Sequence, residues 1–243
     1  LAVAQNNLGN SYYNGLGTAR DYTEATKWYR KAAEQGNGDA QNNLGNCYYN
    51  GRGVAQDYKE AVKWYSKGAA AGHAWCQYNL ANCYYDGKGV RQNQSEAVSW
   101  YRAAADKGNL NAQNALGNCY YNGRGIKKNY REAASWYRKA ADKGYAWAQY
   151  NLGNCYYNGN GVERNYTAAL KWYHAAADQK IGDAHNRIGL CYHWGNGVAQ
   201  DYAEAATCYR KAYLTREAVK LPEPVRETKD SADIDASAET HAT

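Results

Sequence analysis

Leu44 to Val54 reads LGNCYYNGRGV, and the phrase returns as LGNCYYNGRGI from Leu116 to Ile126 and as LGNCYYNGNGV from Leu152 to Val162. Around these phrases the chain keeps a fixed step of 36 residues, with Ala4, Ala40, Cys76, Ala112, Ala148 and Ala184 opening six units that need no insertion or deletion to align. A period in this range marks a solenoid of supersecondary units, each in contact only with its neighbours. Such an array leaves little room for a conventional buried active site.

The second unit shows how one repeat is built. Ala40, Leu44, Cys47 and Tyr48 fall at i, i+4, i+7 and i+8, the apolar stripe of an amphipathic helix A. Gly45 lies beside that stripe, where a missing Cβ admits a second helix. Gly51 and Gly53 flank Arg52 and end the helix, and Val54 anchors the turn. Asp57 is the expected N-cap of helix B, with Glu60 completing a capping-box pair. Helix B carries Ala61, Trp64, Tyr65 and Gly68 on one face, and Gly72 stands at its C-terminal end.

These residues resemble the Sel1-like repeat family, a relative of the tetratricopeptide repeat. The resemblance rests on Leu-Gly-x-x-Tyr-x-x-Gly-x-Gly-Val, an Asp or Asn opening helix B, Ala-x-x-Trp-Tyr and Ala-Ala-x-x-Gly, and it covers residues 1–219. Departures are terminal: Cys208 replaces the residue at Trp28, Trp64, Trp100, Trp136 and Trp172, and Lys180 replaces the glycine of Gly36, Gly72, Gly108 and Gly144. The resemblance implies an all-α, right-handed α-α superhelix of six helix-turn-helix repeats. It also implies a non-catalytic scaffold or adaptor that binds a protein or an extended peptide on its concave helix A surface. Two rivals stand beside it. Cysteine-rich secreted members of the family have been linked to penicillin binding or β-lactamase-type activity, but they carry two bridged cysteines per repeat where this chain carries one. Helical-repeat RNA readers would need basic residues along the groove, where the expected positions here are Asn and Tyr. No nucleic acid, no cofactor and no metal is expected, and a small-molecule ligand is disfavoured.

The domain reading is a solenoid over residues 1–221 with a C-terminal capping helix, then a tail. In the last unit Leu190 replaces an asparagine, His193 and Trp194 replace Tyr-Asn, and helix B runs on through Tyr213, Leu214, Ala218, Val219 and Leu221 to Pro222. A terminal repeat must cover its open side, so the extension reads as a cap. Residues 222–243 are polar and acidic without aromatics, the composition of a disordered segment. The chain has no Met and begins inside a repeat, which reads as a fragment or a processed chain.

Projection of helix A at ~100° per residue places Asn42, Asn46 and Tyr49 opposite the core stripe. The central column is Asn10, Asn46, Asn82, Asn118 and Asn154, then Leu190. Its neighbour is Tyr13, Tyr49, Tyr85, Tyr121 and Tyr157, then His193. An asparagine amide can grip the backbone of an extended peptide; it can equally hold repeat geometry, and both readings stand. A third position is Asn6, Asn42, Asn114 and Asn186 but becomes Tyr78 and Tyr150 in the third and fifth units, where Trp75 and Trp147 precede helix A, a 72-residue super-period. We expect the Trp pair in the inter-repeat seam and Tyr78 and Tyr150 in the groove, as anchors for a partner.

Composition bounds the rest. Net charge is +6, split as −3 from Lys220 onward and +9 before it, with Lys and Arg scattered over helix surfaces. That pattern fits a solvated face better than a nucleic-acid footprint. The aromatic residues are 26 Tyr and 8 Trp with no Phe, side chains that pair contact area with a polar tip. No run of about 18 apolar residues suggests a membrane span. Of seven cysteines, Cys47, Cys83, Cys119, Cys155 and Cys191 share one repeat position. Stacked equivalents lie ~8–10 Å apart, beyond the roughly 7 Å a disulfide tolerates, so all seven are expected as free thiols, which favours the cytoplasm. Sequons at Asn93 and Asn165 coincide with helix B N-caps, and capping explains them. The five histidines form no ligand set.

Overall fold

A computed structural model describes residues 1–220, with side chains to residue 215; the expectations for Leu221 and for the tail at 222–243 lie outside the described residues. The described chain is an all-α repeat superhelix of twelve helices in A–B pairs. The A helices are α1 (Ala2–Asn14), α3 (Gly38–Asn50), α5 (Ala74–Asp86), α7 (Leu110–Asn122), α9 (Ala146–Asn158) and α11 (Gly182–Trp194). The B helices are α2 (Tyr22–Glu34), α4 (Tyr58–Ala70), α6 (Gln94–Asp106), α8 (Tyr130–Ala141), α10 (Tyr166–Asp178) and α12 (Tyr202–Lys220). Each helix packs on those before and after it in sequence.

The stripe read from the sequence is the core. Ala40, Leu44 and Cys47 of helix A are fully buried, as are Ala61 and nearly all of Trp64 and Tyr65 of helix B. Gly45 lets the two helices meet: a Cβ there would stand 2.4 Å from Cε1 of Tyr65. The ring therefore lies flush on the A-helix backbone, and its hydroxyl is carried past the core to the far face of helix A.

The turn is built twice over. Gly51 ends α3 in the left-handed conformation at φ 67°, and Arg52 N–H closes back onto the Cys47 carbonyl at 3.0 Å. Gly53 serves the contact with the preceding repeat, where a Cβ would lie 2.0 Å from the Tyr22 carbonyl oxygen. The second glycine is thus the joint between repeats, and Gly89, Gly125 and Gly161 meet Tyr58, Gln94 and Tyr130 the same way. Asp57 caps α4 through Oδ1, which accepts from Lys59 N at 2.8 Å and Glu60 N at 3.1 Å. The reciprocal half of the expected capping box does not form. Glu60 pairs with Lys63 at 3.2 Å, and Asp57 N–H donates instead to the Tyr48 carbonyl at 2.9 Å. That bond welds the end of helix A to the start of helix B.

The last B helix, α12, spans 19 residues, longer than the others. Cys208 and Ala212 face the core, while Tyr213 and Leu214 stand 64% and 58% exposed. Thr215 reaches the start of α11, its Cβ 3.3 Å from where a Cβ on Gly182 would lie. At Lys180 the missing glycine is not matched by a change of backbone: the lysine itself holds φ 66°.

Candidate functional site

The face of the A helices opposite the core carries the residues singled out from the sequence, and the B helices reach through to it. Tyr29, Tyr65, Tyr101, Tyr137 and Tyr173 each donate a hydroxyl hydrogen bond to Oδ1 of Asn10, Asn46, Asn82, Asn118 and Asn154, at 2.8, 2.7, 2.6, 2.7 and 2.9 Å. Each column asparagine thus has its oxygen committed within its own repeat, which leaves Nδ2 as the atom open to a ligand.

A second set of asparagines ties successive repeats together. Asn43 Nδ2 donates to Asn6 Oδ1 at 3.0 Å and Asn10 Oδ1 at 3.3 Å. Asn79 does the same to Asn42 and Asn46 at 2.8 and 3.4 Å, and Asn151 to Asn114 and Asn118 at 2.9 and 3.4 Å. The ladder breaks where the super-period places tyrosine. Tyr78 takes the acceptor position and the next unit answers with Ala115 in place of the donor; Tyr150 takes it and the next unit answers with Arg187. The bulky ring and the shortened or charged partner are one compensated change.

The tyrosine column is stapled to the following repeat. Arg52 donates to the Tyr13 hydroxyl, Lys88 to Tyr49 at 2.8 Å, Arg124 to Tyr85 at 2.5 Å, Asn160 to Tyr121 at 2.7 Å and Asn196 to Tyr157 at 2.9 Å. The donor in each case sits between the two turn glycines of the next unit. The sequence reading found no basic residue for this face; Arg52, Lys88 and Arg124 come to it from these loops, and Arg187 from α11. The signal was available, since the residue between the glycines is Arg52, Lys88, Arg124, Asn160 and Asn196 from the second unit to the sixth, a side-chain donor every time.

Tyr78 and Tyr150 are half-buried. Tyr78 leans on Tyr101 with ring centroids 6.0 Å apart, and Tyr150 on Tyr173 at 6.1 Å. The tryptophans differ from the seam expected of them. Trp75 and Trp147 are 47% and 46% exposed, each set edge-on against Tyr78 or Tyr150 at 6.0 and 6.1 Å. Trp75 borders an open cavity of about 630 Å³ with Asn42, Asn46, Asn79 and Asp39. The seam is filled instead by a column that the sequence reading passed over. Buried Gln41, Gln77, Gln113 and Gln149 donate from Nε2 to the carbonyls of Ala33, Ala69, Ala105 and Ala141 at 3.1, 3.2, 3.0 and 3.3 Å.

Other candidate chemistry resolves into structure. Asn93 and Asn165 cap α6 and α10, accepting from Glu96 N at 3.1 Å and Ala168 N at 2.8 Å. His73 caps α5 and its Nε2 meets Asp39 Oδ1 at 2.9 Å. All seven cysteines are free and buried. Burial pushes the Cys76, Cys83 and Cys155 thiols up to about 12 and those of Cys119 and Cys191 up to about 11, far from a reactive thiolate. Among the described residues no group of three or more His, Cys, Asp or Glu could hold a metal, and no helix is long and apolar enough to cross a membrane.

Comparison with known proteins agrees with this geometry. The chain superposes on a protective antigen of uropathogenic Escherichia coli strains with a Sel1-like repeat fold, at TM-score 0.82 and 39% identity over 88% of its length, and spans 46% of that protein. It superposes on a Sel1 repeat protein from Oxalobacter formigenes at TM-score 0.79 and 35% identity, covering 87% of this chain and 85% of that one. An immunity protein of Pseudomonas aeruginosa shares the fold alone, at TM-score 0.55 and 21% identity over 91% of this chain and 90% of that one. No curated protein matches the sequence. The Sel1 repeat profile matches residues 2–37, 38–73, 76–109, 110–145, 148–180 and 182–214. With the glycine joints, the capped B helices and this sixfold match in one frame, the chain belongs to the Sel1 repeat family.

Proposed function

We propose that this chain is a non-catalytic scaffold that holds an extended segment of a partner protein along its concave A-helix face. Sel1 repeat proteins are in general protein-interaction scaffolds, and they bind proteins. The observation that carries the finer reading is the pair Trp75 and Trp147. Each leaves nearly half of a large aromatic surface uncovered while its edge is braced by a half-buried tyrosine. Braced, exposed aromatics are what interface hot spots are made of, and folding gains nothing from leaving them bare.

The two tryptophans stand two repeats apart, ~20 Å if each repeat advances about one helix packing distance. An extended peptide rises ~3.3 Å per residue, so a strand of about six residues bridges them. Between them Asn82, Tyr85, Asn118 and Tyr121 supply Nδ2 donors and ring faces; Asn10, Tyr13, Asn46 and Tyr49 extend the track to one side, and Tyr150, Asn154 and Tyr157 to the other.

Selection from a random twelve-residue peptide display library against the intact chain tests the reading. Selected peptides should lose roughly thirtyfold in affinity for W75A or W147A, the ~2 kcal/mol of a hot spot, with the thermal midpoint unchanged. Selected peptides indifferent to both substitutions would refute it.

A further inference from the structure

We infer that the pocket around Arg187 is a carboxylate-binding site that anchors the bound segment; the inference rests on the groove reading above and fixes the ligand's chemistry. Arg187 occupies the position that is Asn43, Asn79 and Asn151 in other repeats and Ala115 in one. Here alone a cation replaces a neutral ladder residue. It lines a cavity of about 260 Å³ with Asn118, Asn151, Asn154, Asn158 and Tyr121.

Nothing in that cavity answers its charge. The guanidinium is half-buried, its hydrogen-bond partner is the Tyr150 phenol, with Tyr157 and Tyr173 nearby, and it forms no ion pair among the described residues. Asp39, which lines the cavity at the opposite end, is engaged by His73 at 2.9 Å. A guanidinium offers five N–H donors in a planar fork, more than a few phenol oxygens can satisfy. A partly desolvated cation without an anion is costly, and a carboxylate is the group whose two oxygens match the fork.

The neighbours point the same way. Oδ1 of Asn118 and of Asn154 is taken by Tyr137 and Tyr173, so these amides can offer a ligand Nδ2 donors. One arginine balances a monoanion, whereas a phosphate dianion would call for more positive charge. The volume falls below the ~300 Å³ where drug-sized ligand pockets begin, which suits a single terminal residue or one acidic side chain. A terminal carboxylate held at Arg187 leaves the rest of the segment running past Trp147 towards Trp75, whereas an acidic side chain held there sets its register.

The test uses the intact chain, isotope-labelled, with the Arg187 Nε–H and the Trp75 and Trp147 indole N–H resonances followed by NMR. Three probes are titrated: N-acetyl-Ala-Ala-Ala with a free C-terminus, its C-terminal amide, and N-acetyl-Ala-Glu-Ala-amide, with inorganic phosphate as a fourth. A carboxylate site predicts a saturable Arg187 shift with one or both carboxylate peptides and none with the neutral amide. Response to the first identifies a chain terminus, and response to the third an acidic side chain. R187Q should weaken that binding roughly tenfold or more, and R187K should restore part of it. An equal response to the neutral amide, a stronger one to phosphate, or binding unchanged in R187Q overturns the carboxylate site. If peptides still shift the Trp147 indole in that case, the groove reading survives; if no peptide shifts either indole, the groove reading falls with it.

Discussion

The Tyr137 hydroxyl reaches through from a B helix to donate a 2.7 Å hydrogen bond to Oδ1 of Asn118 on the A-helix face. The tyrosine ring is buried and the asparagine exposed, so one bond joins the core to the surface offered to a partner. Asn118→Ala would strip the buried hydroxyl of that acceptor and also remove the oxygen that Asn151 shares at 3.4 Å. The expected loss is about 1–2 kcal/mol in urea unfolding. Tyr137→Phe, which keeps the ring, should cost less than Asn118→Ala. Equal stability of Asn118→Ala and the parent would show that the column serves ligands alone.

The second turn glycine is a joint between repeats in every unit that has a predecessor. Gly125→Ala would drive a Cβ to 2.2 Å from the Gln94 carbonyl, whereas at Gly17 no atom lies within 4 Å. Both hold positive φ, at 70° and 73°, so both incur the left-handed penalty of about 1–2 kcal/mol. Gly125→Ala alone adds a backbone collision. Calorimetry should show Gly125→Ala clearly less stable than Gly17→Ala; similar melting of the two would mean that the joint flexes freely.

Lys180 carries the left-handed conformation without a glycine's freedom, at φ 66°. Lys180→Gly should therefore raise stability by up to about 1 kcal/mol, the relief of strain less the added freedom of the unfolded chain. A thermal scan that shows the substitution destabilising would place a side-chain role on Lys180 instead.

The buried thiols dictate the alkaline limit. Burial raises Cys76, Cys83 and Cys155 from 9.0 to about 12, and raises the buried Tyr65, Tyr101, Tyr137 and Tyr173 as well. A folded-state pKa above the unfolded value means the native state holds its protons longer. The contribution is complete below the unfolded pKa of 9.0 and falls as pH climbs towards about 12. Urea midpoints should be flat up to pH 9 and decline steadily above it. A flat profile to pH 11 would contradict the burial of these groups.

The sequence carried the repeat and its local grammar because those signals lie within one unit. Gly51, the Asp57 cap and the Ala40–Leu44–Cys47 stripe each depend on neighbours within about two turns of helix, whereas Gly53 was legible as a turn residue but not as the joint with Tyr22 of the preceding repeat. What it hid lies between units. The ladder from Asn43 to Asn6 and Asn10, the Gln41 bond to Ala33 and the Arg52 bond to Tyr13 depend on how one repeat sits on the next, which a helical projection does not give. The glutamine column was visible as a repeat position but sat beside the apolar stripe, where a polar residue looked incidental. Trp75 was misplaced because it sits in the first turn of α5, ahead of the stripe that opens at Cys76, and was read as lying outside the helix. Tyr78 was expected to be a free anchor, yet it also buttresses Tyr101, so its truncation perturbs the fold, and Trp75 and Trp147 are the cleaner probes.

The central claim is that partners bind on the A-helix face and not on the B-helix surface. A photoreactive residue such as p-benzoylphenylalanine, placed at Trp147 in one variant and at exposed Lys63 of α4 in another, reads this directly with a display-selected peptide. Binding on the A-helix face predicts a peptide crosslink from position 147 and none from position 63. Crosslinking from position 63 with none from position 147 would contradict it.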